Sequence, residues 1–475
     1  MSVNPAVRFV DERTGSAPLL RKVMRYVFPE HASFLLGEVA LYAFVVLVGT
    51  GIYLALFFDP SLAETTYRGS YAPLYGLPMS EAYKSVVDLS FDARAGLLMR
   101  QTHHWAADVF LVSIVLHLMR VFFTGAFRRP RILTWTLGVA MLFAALLEGY
   151  LGYSIVDDLL SGMGLAIGYG VAQSMPLVGG NLSLGLWGGP FPGSPAFESR
   201  MYIAHVLLLP GLIATLLAGH LALVAARHHT QFRRSPRQSE RRLLGLPTFP
   251  AQVPRSLGLM FAVAAVLFGL GGLIQVNPIW QWGPYELAQG TNGAQPDWYL
   301  GWLIGALRLM PGFDVTIGDY TLIPNPFWGG ILFPTVVMLA MFAWPWMERR
   351  VTGDREVHNL LDRPRDAPGR TAFGVAFFTW VLLIFLAGSA DRVYVYFGLD
   401  YTAQIWFYRA FVWVAPLVVF LLTRRICREL QHSDTIREQR EQAVQEGERA
   451  AHRVRRPADD GTADDVASTS ARPGG

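Results

Sequence analysis

Residues 100–120 read Arg-Gln-Thr-His-His-Trp-Ala-Ala-Asp-Val-Phe-Leu-Val-Ser-Ile-Val-Leu-His-Leu-Met-Arg, a mostly apolar stretch with His103 near one end and His117 near the other. Fourteen positions separate these two histidines. At about 100° per residue, fourteen steps return to within roughly 40° of the same helix face. At ~1.5 Å per residue the two imidazoles are about 21 Å apart along the axis. One metal ion cannot bridge that distance, but two groups at different depths of a membrane could each take one ring. His104 is the internal control: thirteen residues from His117, it falls about 140° away and faces elsewhere.

The same interval recurs. His205 and His220, fifteen apart, lie in a second apolar run, 202–226, without Asp, Glu, Lys or Arg. Fifteen steps end about 60° off, on the same side. Two glycine pairs, Gly37 with Gly51 and Gly138 with Gly152, repeat the fourteen-residue spacing in two further apolar runs. Glycine inside a helix costs about 1 kcal/mol relative to alanine, and in apolar helices it marks places where something bulky comes close. Two histidine helices and two glycine helices on one ruler describe a four-helix bundle around two flat ring systems. Two non-covalent, bis-histidine haems fit, each held by one histidine from each of the two histidine helices. A single histidine in an apolar segment is more often a satisfied polar residue or part of a proton path. Four in matched pairs, with matched glycines, are not accounted for that way.

Composition points to an all-α integral membrane protein: 52% of residues are hydrophobic and 16% charged, and mean hydropathy is +0.32. Eight apolar spans stand out, at about 38–58, 107–126, 133–153, 202–226, 256–276, 327–347, 371–390 and 405–423. Each is near the ~20 residues a helix needs to cross the hydrocarbon core, and backbone groups in lipid must be satisfied within the helix. No secretory signal peptide is expected, since the first apolar run follows a basic lead of more than thirty residues and is long enough to span.

Arginines gather in alternate loops. Residues 227–242 and 349–370 hold six each and 127–131 hold three, whereas 155–199 has no Lys or Arg and 277–325 has only Arg308. This asymmetry predicts that the basic loops and both termini face the cytoplasm of a bacterial cell membrane, and it argues against nucleic acid as the partner of the +4 net charge. The lone cysteine, Cys427, excludes a disulfide framework, a cysteine-ligated iron–sulfur cluster and a thioether-bound haem within this chain.

The expected organisation is a cytoplasmic lead (1–36), a four-helix di-haem unit (37–230), a basic linker (231–253), a second four-helix unit (254–427) and a polar tail (428–475) of short helix followed by disorder. Arg100 and Arg120 each lie three residues from a histidine and so share its face. Arg200 stands five residues before His205, where that run begins. All three are candidate partners for haem propionates. Short helices are expected at 163–170 and near 187–190 on the outer surface. The run after Pro296-Asp297-Trp298-Tyr299 is too short to span and should be an interfacial helix. Asp297 there reads either as a proton-accepting carboxylate or as a helix N-cap.

These residues resemble the cytochrome b subunit of cytochrome bc complexes across roughly residues 20–425. The resemblance rests on His103…His117 followed by Arg120, on Gly125-Ala-Phe-Arg-Arg-Pro-Arg-Ile-Leu-Thr-Trp-Thr-Leu-Gly138, on Gly149-Tyr-Leu-Gly-Tyr153, on Arg200…His205…His220 and on Pro296-Asp-Trp-Tyr299. The fifteen-residue interval looks like the chloroplast and Gram-positive branch. The Pro-Asp-Trp-Tyr form and long polar tail look like actinobacterial members, which implies menaquinol. The resemblance implies haems in the first four helices, the one at His103 and His205 near the outer face. It implies a quinol oxidation site lined by Pro296, Asp297, Trp298 and Tyr299, with Tyr153 and residues 155–172 as the other wall. It further implies a quinone reduction site near the cytoplasmic face, a quinol–cytochrome c reductase activity coupled to proton translocation, a Rieske iron–sulfur subunit and a c-type cytochrome as partners, a homodimer, and association with a terminal oxidase. Three departures are visible. Asp297 stands where the family usually has Glu, Ile155-Val156-Asp157 where it has Leu-Pro-Trp, and Arg255-Ser256 where many relatives carry Lys-Asp. Two rivals are a haem-free transporter or proton channel, which gives the glycine intervals no reason, and the haem b subunit of another membrane dehydrogenase, which gives none to Pro296–Tyr299 or the second four helices.

Overall fold

In a computed structural model, residues 9, 12–15, 17–233, 238–289 and 295–454 are described. Eight helices among them are long and apolar enough to cross a membrane: Ala32–Ala55, Gly96–Phe123, Ile132–Ser154, Ala196–Arg227, Thr248–Leu273, Trp328–Thr352, Pro368–Ala387 and Tyr401–Glu448. They are called the first to eighth helices below. Large apolar side chains such as Leu207, Leu208, Phe261, Val266, Leu339 and Trp413 point outward from them. In lipid such faces are the ordinary exterior, because packing between membrane helices does not depend on removing apolar surface from water.

The first helix packs on the second and the third on the fourth; the second also meets the third, closing the N-terminal four-helix unit. The fifth lies against the second and first, the sixth against the third, and the seventh against the second and eighth. The fifth approaches the second so closely that a Cβ on Gly271 would sit 2.8 Å from the backbone nitrogen of Thr102. Trp135 Nε1 donates to the Met341 carbonyl at 2.8 Å, tying the third helix to the sixth. The two halves are therefore packed together.

The second helix starts at Gly96, well before the apolar run that announces it. Its polar first turns are buried because they serve the end of the fifth helix. Gln101 Nε2 donates to the Val276 carbonyl at 2.8 Å, and Arg100 Nη1 donates to that of Asn277 at 3.1 Å. The fourth helix holds one π turn, Ala204–Leu208, which contains His205. A π turn accommodates one extra residue, so the fifteen-residue interval to His220 acts as fourteen and matches that from His103 to His117.

At the far end from the termini, the loop 59–99 folds into a hairpin, Glu64–Thr66 with Pro78–Ser80, and a helix, Glu81–Phe91. Tyr67 and Tyr83 form a small core there with Ile279 from beyond the fifth helix. Helices Leu159–Gln173 and Gly179–Trp187 follow the third span, as expected for 163–170 and the Trp187 region. At the arginine-rich end the linker is stapled on both sides. Its Leu246–Pro247 pairs antiparallel with Val27–Phe28, and Gln231–Phe232, where it begins, pairs parallel with Leu360–Leu361. Arg131 donates to the carbonyls of Arg227, His228 and His358 and to Asn359 Oδ1. Buried Arg370 joins Glu348 at 2.9 Å and Asp362 at 2.6 Å.

The polar tail differs from its expected form. The eighth helix runs unbroken from Tyr401 to Val454, 54 residues, so 428–454 is helical. The ion pairs Arg425–Glu429 and Arg437–Glu441 at i, i+4 favour this, and Arg363 and Arg365 anchor it through Asp434. Residues 455–475 lie outside the described residues.

Candidate functional site

The four histidines come together in two planes. At the far end the rings of His103 and His205 have centroids 6.4 Å apart. At the arginine-rich end His117 and His220 line one cavity of roughly 960 Å³. Each glycine of the fourteen-residue pairs lies against one of these rings. A Cβ on Gly51 would be 3.3 Å from His103 Cε1, one on Gly37 3.2 Å from His117 Cε1, and one on Gly138 3.8 Å from His220 Cε1. A Cβ on Gly152 would overlap the His205 ring outright. The glycines thus provide room at the ring edges, as their spacing implies.

The ring nitrogens have suitable partners. Thr50 Oγ1 gives its own proton to the Val46 carbonyl at 2.7 Å. It therefore accepts from His103 Nδ1, 2.9 Å away, which leaves Nε2 with a free lone pair. A metal-ligating histidine is usually held this way through its other nitrogen. Glu148 Oε1 stands 2.9 Å from His205 Nδ1, though that nitrogen makes no well-formed hydrogen bond. The buried Nδ1 of His117 also has no hydrogen-bond partner, while the His220 ring meets the Thr134 backbone. Imidazoles paired in two planes and bordered by glycines are a donor set that fits bis-histidine haem.

Of the three arginines, two accompany the planes. Arg100 is buried with Nε and Nη2 without a hydrogen-bond partner, and Arg120 Nε is likewise unpartnered. Arg120 also lies 4.6 Å from the Phe34 ring centroid and lines the cavity at the His117 plane. Arg200 is exposed, with its guanidinium near Gly188.

The Pro296–Tyr299 loop closes on the second and third helices. Asp297 precedes a helical turn but makes no capping hydrogen bond. Its Oδ1 is 2.8 Å from His104 Nε2, and its Oδ2 accepts from the Tyr299 hydroxyl at 2.9 Å. Burial pushes this carboxyl up, but the charge and hydrogen bond of His104, with the Tyr299 hydroxyl, outweigh it and hold Asp297 below the usual carboxylate range. Burial, with Asp297 beside it, raises the Tyr299 phenol well above its ordinary value. Trp298 Nε1 donates to Asp108 Oδ1 at 2.8 Å. The Tyr299 ring presses on Gly149, where a Cβ would be 2.9 Å away. Tyr153 is buried beside Leu160 and packs with Leu300; its hydroxyl donates to the Leu160 carbonyl at 2.7 Å. Asp158 starts the following helix by accepting from Ser161 N at 3.0 Å, and burial pushes both Asp157 and Asp158 up to about 6. Pro296, Asp297, Trp298, Tyr299, Tyr153 and residues 155–172 therefore assemble at one end of the third helix.

The sequence reading missed four side chains here. His104 was set aside because it faces away from the histidine planes; that same direction carries it to Asp297. Thr50, Asp108 and Glu148 gave no periodic signal. An acid inside a membrane span is itself a cue, and both Asp108 and Glu148 lie within spans.

The chain was compared with known proteins. Residues 108–284 match the family described as Cytochrome b(N-terminal)/b6/petB. The "Cytochrome bc1 complex cytochrome b subunit" of Streptomyces coelicolor is 46% identical over 426 residues, covering 90% of this chain and 78% of that one. Its namesakes in Corynebacterium efficiens and Mycobacterium tuberculosis are 43% and 45% identical, covering 92% and 90% of this chain and 80% and 77% of their own. A solved chain described as "Hyperthermophilic respiratory Complex III" superposes with a TM-score of 0.65 at 19% identity, over 88% of this chain and 98% of that one. At that identity the likeness is one of fold.

Proposed function

The chain belongs to the family of cytochrome bc1 complex cytochrome b subunits, and from that premise we propose that it oxidises quinol at the Asp297 end and reduces quinone at the arginine-rich end, through two b haems. As a member it is a multi-span membrane subunit of a bacterial respiratory complex, the catalytic core of a quinol–cytochrome c reductase with haem b as cofactor. The observation that carries the finer reading is the meeting of each spaced glycine with its histidine ring. A transporter has no use for that arrangement.

His103 and His205 would hold one haem, His117 and His220 the other, and the unpartnered nitrogens of Arg100 and Arg120 would face the propionates. Bound haem supplies one-electron transfer at each plane. The chain's own residues do the rest. Quinol carries two protons that must leave as it is oxidised. Asp297 takes one, because its carboxylate is ionised at working pH and is oriented by His104 and Tyr299. Tyr153, Leu160 and Leu300 form an apolar wall that keeps water from the reacting oxygens. With haem held at both planes, one electron would pass between them, and the other would leave to an iron–sulfur subunit and then a c-type cytochrome. With a single cysteine this chain ligates neither of those groups, so the Rieske and c-type partners must bring them. The arginine asymmetry supports termini in the cytoplasm and the Asp297 end outside, in the plasma membrane. Similarity to actinobacterial chains favours menaquinol, a homodimer and association with a terminal oxidase.

The test is a redox-titrated difference spectrum of the complex beside its His103→Ala and His205→Ala variants. Two b-type components, with one lost in each variant together with quinol oxidation, are expected. No haem signal in the unsubstituted complex would replace electron transfer with the transporter reading. Loss of a different component in each of the two variants would break the proposed pairing.

A further inference from the structure

The cavity at the arginine-rich end extends well beyond His117 and His220, taking in the N-terminal lead and the start of the fifth helix. Two carboxylates are among the described residues lining it, Glu30 and Glu38. Glu30 is more than half exposed and stands 3.1 Å from Arg255, also largely exposed. Glu38 is different. It is half-buried, one residue after the Gly37 that touches the His117 ring. Its Oε2 accepts from Ser256 Oγ at 2.8 Å and from the Tyr42 hydroxyl at 3.3 Å, and its Oε1 accepts from Gln252 Nε2 at 3.2 Å. Gln252 also reaches Ser256 Oγ at 3.1 Å. Three donors from two helices thus converge on one acid inside a membrane span, beside the inner histidine plane. An ionisable group in that setting is costly and is by default a functional one.

We infer that Glu38 is the proton-supplying group of a quinone-reduction site in this cavity, with Ser256, Gln252 and Tyr42 as positioning residues. The inference rests on the two-site reading above and adds to it the residues of the second site. Reducing a quinone consumes two electrons and two protons. The electrons come from the reductase reaction. The carboxyl O–H bond of Glu38 breaks as an O–H bond forms on the nearer quinone oxygen; the carboxylate then regains a proton from cytoplasmic water, which also supplies the second quinone oxygen. Ser256 and Tyr42 hold the carboxylate toward the His117 plane, so that proton and electron arrive at one place.

The experiment uses the whole complex in an Asp297→Asn background, so that the far-end site does not contribute. The b centres are reduced chemically and mixed with a short-chain naphthoquinone, and their reoxidation is followed at several quinone concentrations. Glu38→Gln is expected to slow reoxidation at saturating quinone on the order of 10²-fold, with little change in the half-saturating concentration and with both b absorbances retained. Glu38→Asp should recover most of the rate. So should the exchange Glu38→Ser with Ser256→Asp, because the two side-chain oxygens are 2.8 Å apart and the acid then returns from the opposite helix. Reoxidation of Glu38→Gln at the unsubstituted rate overturns the assignment and leaves the haem reading standing. Loss of b absorbance in all three variants overturns it in favour of a structural role. An unsubstituted complex that quinone does not reoxidise overturns it together with the two-site reading.

Discussion

The two histidine planes share one spacing and differ in almost everything around it. At the far plane, His103 is fixed by Thr50 and His205 stands beside Glu148. Gly152 is hard against the His205 ring, and the next residue along, His104, is already committed to Asp297. At the inner plane, His117 Nδ1 has no hydrogen-bond partner and the His220 ring meets only the Thr134 backbone. Gly138 stands off at 3.8 Å, and the cavity continues to Glu38 and Ser256. Periodicity places a ring at a depth and on a face; it does not say what holds the ring there. The far plane is set by side chains, so its geometry is fixed before any ligand arrives. The inner plane relies more on whatever occupies it.

The sharpest way to break that contrast is to remove ligands plane by plane. His117→Ala or His220→Ala should abolish one b-type component, and His103→Ala or His205→Ala the other, each read in a redox-titrated difference spectrum. Loss of both components from any single change would mean that the planes are one unit. Next in size is Asp297→Asn, expected to lower quinol oxidation by about 10²-fold or more while both b absorbances remain; an unchanged rate would remove Asp297 from the reaction. The glycines test the difference in tightness. Gly152→Ala should displace the far centre and lower its occupancy, whereas Gly138→Ala should leave the inner spectrum alone and gain up to about 1 kcal/mol of helix stability. Equal damage at both positions, read by spectrum and thermal unfolding, would show the planes to be equally tight. The smallest effect is expected from Thr50→Val, which keeps shape and deletes the hydroxyl. The far haem should become roughly tenfold easier to extract, as when an outer-shell partner of a ligand is lost, with no change at the inner plane.

The eight spans were legible because lipid imposes a length and a polarity that composition records directly. Their ends were less so. Arg100, Gln101, Thr102 and His104 made the second helix look shorter than it is, since hydropathy treats them as solvent-seeking, whereas Arg100 and Gln101 are committed to the carbonyls beyond the fifth helix and His104 to Asp297. The four ligand candidates were legible because haem-sized spacing leaves an arithmetic trace. Thr50, Glu148, Asp108 and Glu38 left none: each meets a partner distant in sequence, and no local pattern encodes that. The tail misled through composition, because a charged segment lacking an apolar face reads as disordered until its i, i+4 pairs and its anchorage at Asp434 are seen.

The π turn at Ala204–Leu208 bears on how such chains diverge. A one-residue insertion in a helix normally rotates everything beyond it by about 100°, and selection should remove it at once. Here the added residue is confined to a single widened turn at the histidine itself, and His220 keeps its place. The fourteen-residue interval of the second helix and the fifteen-residue interval of the fourth are therefore two spellings of one depth, and the extra residue leaves His220 level with His117.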